Sequence, residues 1–132
     1  MTETKNKKIL IVDDDKFLLD MYSIKFAERG FELRSAGSAE AALTAVAGDW
    51  RPDVYLVDII MPVMDGFQLI EELKRRDRRA GSAVVILSNL GQKEDIEKAL
   101  ALGVDGYIVK ASSTPSEVVA KVSEIASHPV NP

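Results

Sequence analysis

Short apolar runs alternate along this chain with longer segments whose apolar residues recur at helical spacing. The runs are four to six residues long, and most are rich in β-branched residues. Runs of this kind are typical of strands that are buried on both faces of a parallel sheet. Their alternation with helical segments predicts a repeated βα unit. The five runs span residues 9–12, 31–36, 54–57, 84–87 and 104–109.

The segments between the runs carry the marks of helices. The last one opens with Thr114, Pro115, Ser116 and Glu117, which combine a capping box with proline at the first helical position. It is predicted to reach about residue 127. We predict a flavodoxin-like α/β fold, a doubly wound five-stranded parallel sheet with strand order 2-1-3-4-5 and five helices. Glycines that suit helix ends stand at Gly30, Gly48 and Gly103.

Composition limits the class of protein. The chain has 132 residues, a formal net charge of −4 and no cysteine. One domain over residues 1–127 can bury its core without disulfides, and residues 128–132 are expected to form a flexible tail. Thiol chemistry is excluded, and the negative charge disfavours nucleic acid as a partner. With no secretion signal and no membrane-spanning segment in the sequence, a cytoplasmic protein without a membrane partner is expected.

Polar residues follow four of the five predicted strands. Three aspartates stand at 13–15 after the first run, and Asp58, Ser88 and Lys110 follow the third, fourth and fifth runs. Because the carboxyl ends of parallel strands lie on one edge of a sheet, these side chains are expected to converge there. The second run has no such residue, which is expected of a strand at the sheet edge.

Each of these residues also has a purely structural explanation. Asp15 can cap the helix that begins near Lys16. Ser88 can be an ordinary turn residue, and a lone lysine such as Lys110 is usually solvated. An ionised Asp58 beside a core strand is costly unless it is paired. The prediction of a functional site therefore depends on the joint placement of the set.

The chemistry of the set indicates a site for a divalent cation and a phosphoryl group. Clustered carboxylates raise one another's pKa, so a cation that neutralises them binds favourably, and Mg²⁺ is the natural candidate. The Lys110 ammonium and the Ser88 hydroxyl suit the oxygens of a transferring phosphoryl group. A carboxylate that attacks phosphorus forms an acyl phosphate.

Four motifs in the chain resemble those of the receiver domain of two-component response regulators, over residues 7–127. They are Ile-Leu-Ile-Val-Asp-Asp-Asp at 9–15, Val-Asp-Ile-Ile-Met-Pro-Val-Met-Asp-Gly at 57–66, Val-Val-Ile-Leu-Ser at 84–88 and Gly-Val-Asp-Gly-Tyr-Ile-Val-Lys at 103–110. The resemblance implies that Asp58 accepts a phosphoryl group from a histidine kinase or phosphotransfer protein. Such a domain catalyses only its own phosphorylation and dephosphorylation.

The resemblance also implies roles for the other site residues. Mg²⁺ would be bound by Asp14, Asp58 and the backbone carbonyl of Ile60, with Asp13 contributing mainly through water. Lys110 would pair with the phosphoryl group.

Ser88 and Tyr107 would move as a switch when Asp58 is phosphorylated. Their movement would bias a face for a downstream effector, made of the fourth helix, the fifth strand and the fifth helix.

Some residues depart from the family pattern. Ala111 follows Lys110 where the family usually has proline, often with a cis bond, so the geometry of this peptide bond is left open by the sequence. Asn89 stands where a smaller residue is common. Ile60 and Leu90 are apolar at positions that can otherwise orient an attacking water, which predicts slow self-dephosphorylation.

Two other functions remain open. Asp13 and Asp15 also fit the Asp-x-Asp motif of haloacid-dehalogenase-like phosphohydrolases, with Asp13 as nucleophile. That family needs a later acidic pair after the lysine, and this interpretation leaves Asp58 unexplained. The other alternative is a pseudo-receiver that uses the fold only for binding.

Two surface features are ambiguous in the sequence. A basic run at 74–79 is expected to be the solvated end of the third helix. On the fifth helix, Val119 and Ala126 lie off the row formed by Val118, Val122 and Ile125. They could be exposed to a partner or complete a wide apolar stripe, and the stripe is favoured for Val119.

Overall fold

The computed structural model describes residues 6–128, which form a five-stranded parallel sheet in the order β2-β1-β3-β4-β5. The predicted fold class and strand order are confirmed. Of the predicted tail, His128 follows the last helix, and residues 129–132 lie outside the described residues. The strands are β1 Lys8–Val12, β2 Glu32–Ala36, β3 Val54–Val57, β4 Ala83–Ser88 and β5 Gly106–Val109. The helices of the described part are α1 Lys16–Glu28, α2 Ala39–Ala45, α3 Gly66–Arg75, α4 Lys93–Ala101 and α5 Pro115–Ala126, with a short 3₁₀ helix at Lys110–Ser112.

The sheet separates two apolar cores. Side chains alternate across a strand, so Leu10 and Val12 of β1 face one side and Ile9 and Ile11 the other. The first core is completed by α2, α3 and α4, and the second by α1 and α5. This two-sided burial explains the continuous apolar runs of the central strands, at residues 9–12, 54–57 and 83–87.

Polar caps and left-handed residues set the ends of the helices. The Asp15 carboxylate accepts the Leu18 N–H and caps α1, and Thr114 forms the predicted capping box with Glu117. Gly30 adopts a φ of 90° just beyond α1, as predicted. The prediction for Gly48 is wrong, because α2 ends at Ala45, three residues earlier.

The fifth helix is buried more widely than its core-facing row suggests. Val119 and Ala126 are both buried, because α5 packs against α1 as well as against the sheet. The interpretation of Ala126 as a partner contact is therefore wrong, and the wide stripe favoured for Val119 is confirmed. No helix within residues 6–128 is both long and apolar enough to cross a membrane.

Candidate functional site

The site lies where β1 and β3 end, side by side at the centre of the sheet. Val12 pairs with Val57, so Asp13 and Asp58 follow directly on neighbouring strands. The Asp58 N–H donates to the Val12 carbonyl at 3.0 Å, which continues the sheet pairing past the strand ends. Both aspartates therefore start from a fixed backbone.

Lys110 joins these two carboxylates. Its Nζ lies 2.9 Å from Asp13 Oδ2 and 3.0 Å from Asp58 Oδ2. The three side chains are largely buried, with exposed fractions of 12% for Lys110, 6% for Asp13 and 10% for Asp58. Charge-assisted hydrogen bonds at such distances in a mostly buried site are strong and orient both partners.

Backbone donors hold the second oxygen of each carboxylate. Asp13 Oδ1 accepts the Asp15 N–H at 2.9 Å, and Asp58 Oδ1 accepts the Ile59 N–H at 2.7 Å. Each carboxylate is thus fixed at two points. A carboxylate oxygen has two lone pairs, so each oxygen still has room for a further ligand.

Burial and pairing act on these charges in opposite directions. Burial raises the pKa of Asp13 above its usual value, although the hydrogen bond from Lys110 opposes the rise. Burial by itself lowers the pKa of Lys110, but hydrogen bonds and charge from Asp13 and Asp58 outweigh it and raise the pKa above the usual value. Lys110 therefore keeps its proton and its positive charge.

The arrangement suits a divalent cation. One oxygen each from Asp13, Asp14 and Asp58 lie within 4.8 Å of one another. Carboxylate oxygens are the ligands that Mg²⁺ takes in proteins, so these three residues would hold the ion. When ionised, three carboxylates and one ammonium leave two negative charges, which one divalent cation would neutralise. The fourth predicted ligand belongs to Ile60, in the loop after β3, whose side chain is 59% exposed.

Ser88 of β4 and Tyr107 of β5 form no hydrogen bond to this cluster among residues 6–128. Ser88 is buried at the end of β4, and its Oγ accepts the Leu90 N–H at 3.3 Å. The half-buried Tyr107 donates its hydroxyl to the Leu90 carbonyl at 2.5 Å. Both predicted switch residues thus contact the backbone of the same residue in the β4–α4 loop.

The structure adds contacts that sequence reasoning missed. The direct pairing of Asp13 with Lys110 was not predicted, and neither was the role of the Leu90 carbonyl. At Gly66 a Cβ would lie 2.2 Å from the Asp58 carbonyl oxygen, so only glycine fits there. The sequence signal for this constraint was the position of Gly66 at the end of the motif at 57–66. The described residues contain no cis peptide bond, and Lys110 is the first residue of the 3₁₀ helix Lys110–Ser112.

An open parallel sheet gathers Asp13, Asp14 and Asp58 at its carboxyl edge, and Lys110 pairs with two of them. These features define an α/β domain with an acidic cluster that could hold a cation. Comparison with known proteins identifies the family to which this domain belongs. The model of the response regulator receiver domain matches residues 9–123. The chain belongs to this family, whose members are signalling modules of two-component systems rather than classical enzymes.

Individual relatives agree with this assignment. The chain is similar to the chemotaxis protein CheY of Halobacterium salinarum, with 35% identity over 121 residues that cover 90% of this chain and 96% of the relative. It is also similar to the DNA-binding response regulator MtrA of Mycobacterium tuberculosis, with 37% identity over 120 residues and coverage of 91% and 50%. The chain thus spans about half the length of that regulator.

A solved structure gives the same result for the fold. The CheX–CheY–BeF₃–Mg²⁺ complex from Borrelia burgdorferi has a chain that matches with a TM-score of 0.81 and 26% identity. The match covers 92% of this chain and 90% of that chain. The β2-β1-β3-β4-β5 sheet is therefore a CheY-like fold.

Proposed function

We propose that this protein is a phosphoacceptor in a two-component phosphorelay and that Asp58 is the residue that is phosphorylated. The observation that carries the proposal is Lys110, whose ammonium bridges Asp58 and Asp13. A buried lysine held against an aspartate at a strand end is positioned for a group that brings negative charge to that aspartate. The family membership supports the same assignment.

The chain's own residues account for the transfer step. A carboxylate oxygen of Asp58 attacks the phosphorus of a donor phosphohistidine. The O–P bond forms as the P–N bond breaks, and its electron pair leaves on the imidazole nitrogen. Lys110 keeps its proton and pairs with the incoming phosphoryl oxygens, while the Ile59 N–H continues to orient the carboxylate. Later attack by water on phosphorus returns the free carboxylate and inorganic phosphate.

Asp13, Asp14, Asp58 and the Ile60 carbonyl would hold Mg²⁺ in this proposal. When bound, the ion supplies positive charge and a coordination position for a phosphoryl oxygen. The geometry of the three carboxylates and their residual negative charge support this assignment. The related complex from Borrelia burgdorferi contains Mg²⁺ and BeF₃, a phosphoryl analogue.

Phosphorylation would then be transmitted through the β4–α4 loop. A phosphoryl group on Asp58 offers new acceptors, and a move of Ser88 toward them would release the Leu90 N–H that its Oγ now accepts. The same loop residue holds the Tyr107 hydroxyl, so the two switch residues are coupled through Leu90. The effector would bind the face formed by α4, β5 and α5, and the donor would be a histidine kinase or phosphotransfer protein.

The test is the intact mass of the protein after incubation with Mg²⁺ and acetyl phosphate. The expected result is one phosphoryl addition that is lost with a chelator and in Asp58→Ala. No addition under any condition would refute the proposal and leave a pseudo-receiver. Addition that survives Asp58→Ala and disappears in Asp13→Ala would instead identify a phosphohydrolase of the haloacid-dehalogenase type.

A further inference from the structure

A groove runs between the C-terminal ends of α3 and α4, away from the carboxylate cluster. Its volume is about 460 Å³, which is within the range of about 300–1,000 Å³ for ligand-binding pockets. One wall is apolar and consists of Ile70, Ala101 and Leu102. The other lining residues are charged, and they include part of the basic run that the phosphoacceptor function leaves unexplained.

Contacts between the two sides keep this groove open. Arg79, in the segment between α3 and β4, donates to the carbonyls of Leu102 and Gly103 at 2.8 and 2.9 Å. The Lys98 ammonium of α4 lies 4.7 Å from the centre of the Phe67 ring of α3. These contacts fix the spacing of the two helices, so the groove is formed before any ligand arrives.

The rim of the groove is positive in a chain whose formal net charge is −4. It carries Lys74, Arg75 and Arg79 against a single carboxylate, Glu71. Arg75 shares the single carboxylate of Glu72 with Arg76, so Glu72 neutralises only one of these two guanidinium groups. Lys74 and Arg79 form no ion pair within the described residues, and three cations against Glu71 leave two positive charges in excess in the groove.

Arg79 and Lys74 differ in how firmly their side chains are held. Arg79 is held in place by neutral carbonyls, which use two of its five N–H donors and leave its charge uncompensated. Lys74 is exposed, and its side-chain ammonium has no hydrogen-bond or ion-pair partner within residues 6–128. A fixed guanidinium suits bidentate binding of a carboxylate, and a mobile ammonium can follow a second one.

We propose that this α3–α4 groove is a docking site for an acidic segment of a partner protein. The segment would place one apolar side chain against Ala101 and Leu102, because Ile70 is fully buried. Its carboxylates would lie against Arg79 and Lys74. Charge complementarity favours such a partner over nucleic acid. Two uncompensated cations on an acidic protein are too few to hold a phosphate backbone, whereas they match a pair of carboxylates.

The test uses a short fluorescein-labelled peptide that alternates glutamate and leucine, with the fluorescence anisotropy measured at low ionic strength. The matched variants are Lys74→Glu in the groove and Lys25→Glu in the last turn of α1, on the opposite side of the sheet, which make the same change in net charge. Reversal of one charge in direct contact is expected to weaken binding about tenfold for Lys74→Glu. Lys25→Glu is expected to leave the affinity within about twofold, the size of the effect of a distant, screened charge.

Backbone amide NMR shifts of the wild type locate the bound peptide. The largest amide chemical-shift changes are expected at Ile70, Ala101 and Leu102. Absence of binding, equal weakening by both variants, or shifts centred elsewhere would overturn it. A labelled DNA duplex that binds with the same dependence on Lys74 would also overturn it, in favour of a nucleic-acid site.

Discussion

Replacement of Gly66 by alanine is expected to damage both stability and phosphorylation, because of a backbone contact. The new Cβ would lie 2.2 Å from the Asp58 carbonyl oxygen and 2.8 Å from the Ile59 Cα. A normal contact needs about 1 Å more, and the neighbours are main-chain atoms that cannot rotate away. Overpacking of this kind costs about 1–3 kcal/mol. The start of α3 must therefore move away from the loop that carries Asp58.

Two other glycines provide graded controls for this substitution. At Gly48 nothing lies within 4 Å of the added Cβ and φ is not positive, so alanine is expected to be neutral or to stabilise by about 0.4–1 kcal/mol. At Gly106 the nearest atom is the Cδ1 of Ile125 at 2.8 Å, the end of a flexible side chain. We expect the cost at Gly106 to lie between those at Gly48 and Gly66.

The assay combines urea denaturation with the rate of Mg²⁺-dependent phosphorylation by acetyl phosphate. A displacement of about 1 Å at a reacting group can reduce a rate about 100-fold, so Gly66→Ala is expected to lose most of its rate while Gly48→Ala keeps the wild-type rate. If Gly66→Ala matched Gly48→Ala in both stability and rate, the argument from close approach would be wrong.

Three further predictions concern other parts of the molecule. Replacing Ile60 and Leu90 by polar residues that can orient water should speed loss of the phosphoryl group, measured as decay of the phosphorylated mass, and an unchanged decay would contradict the role assigned to them. Val63 is 91% exposed and is held at a φ of 71°, a left-handed conformation that a β-branched residue adopts with strain and asparagine adopts more easily. Val63→Asn should therefore raise the free energy of unfolding, measured in urea, by about 1 kcal/mol. A loss of stability would count against backbone strain at this residue. Tyr55 is buried, donates to the Arg78 carbonyl, and has its pKa raised by burial from 10.0 to about 12. Because the folded-state pKa of Tyr55 lies above its unfolded value, the protonated hydroxyl contributes about 3 kcal/mol to stability below pH 10, and this contribution is lost as pH rises from about 10 to 12. The free energy of unfolding of the wild type should therefore fall relative to that of Tyr55→Phe over that range. A constant difference would refute the assignment.

The fold was largely predictable because its signals are local. Continuous apolar runs identify strands buried on both faces, and the caps at Asp15 and Thr114 act within three residues of their own helix. Burial that depends on packing between helices was harder to predict from the sequence. Ala126 lies off the core-facing row of α5, and its burial follows from the contact of α5 with α1, which the period of one helix does not contain.

The composition of the candidate site was also predictable, whereas its contacts were not. The order of strands and polar residues determines that Asp13, Asp58, Ser88 and Lys110 come to one edge of the sheet, because all carboxyl ends of a parallel sheet lie there.

Only the tertiary structure decided that Lys110 bridges two carboxylates 52 and 97 positions away in the chain. It also decided that Gly66 must leave room for the Asp58 backbone, and that α3 and α4 leave a positively charged groove between them. Periodicity and capping act within a few residues of one another. Contacts between distant segments depend on how the helices pack against the sheet, and no local sequence pattern specifies that packing.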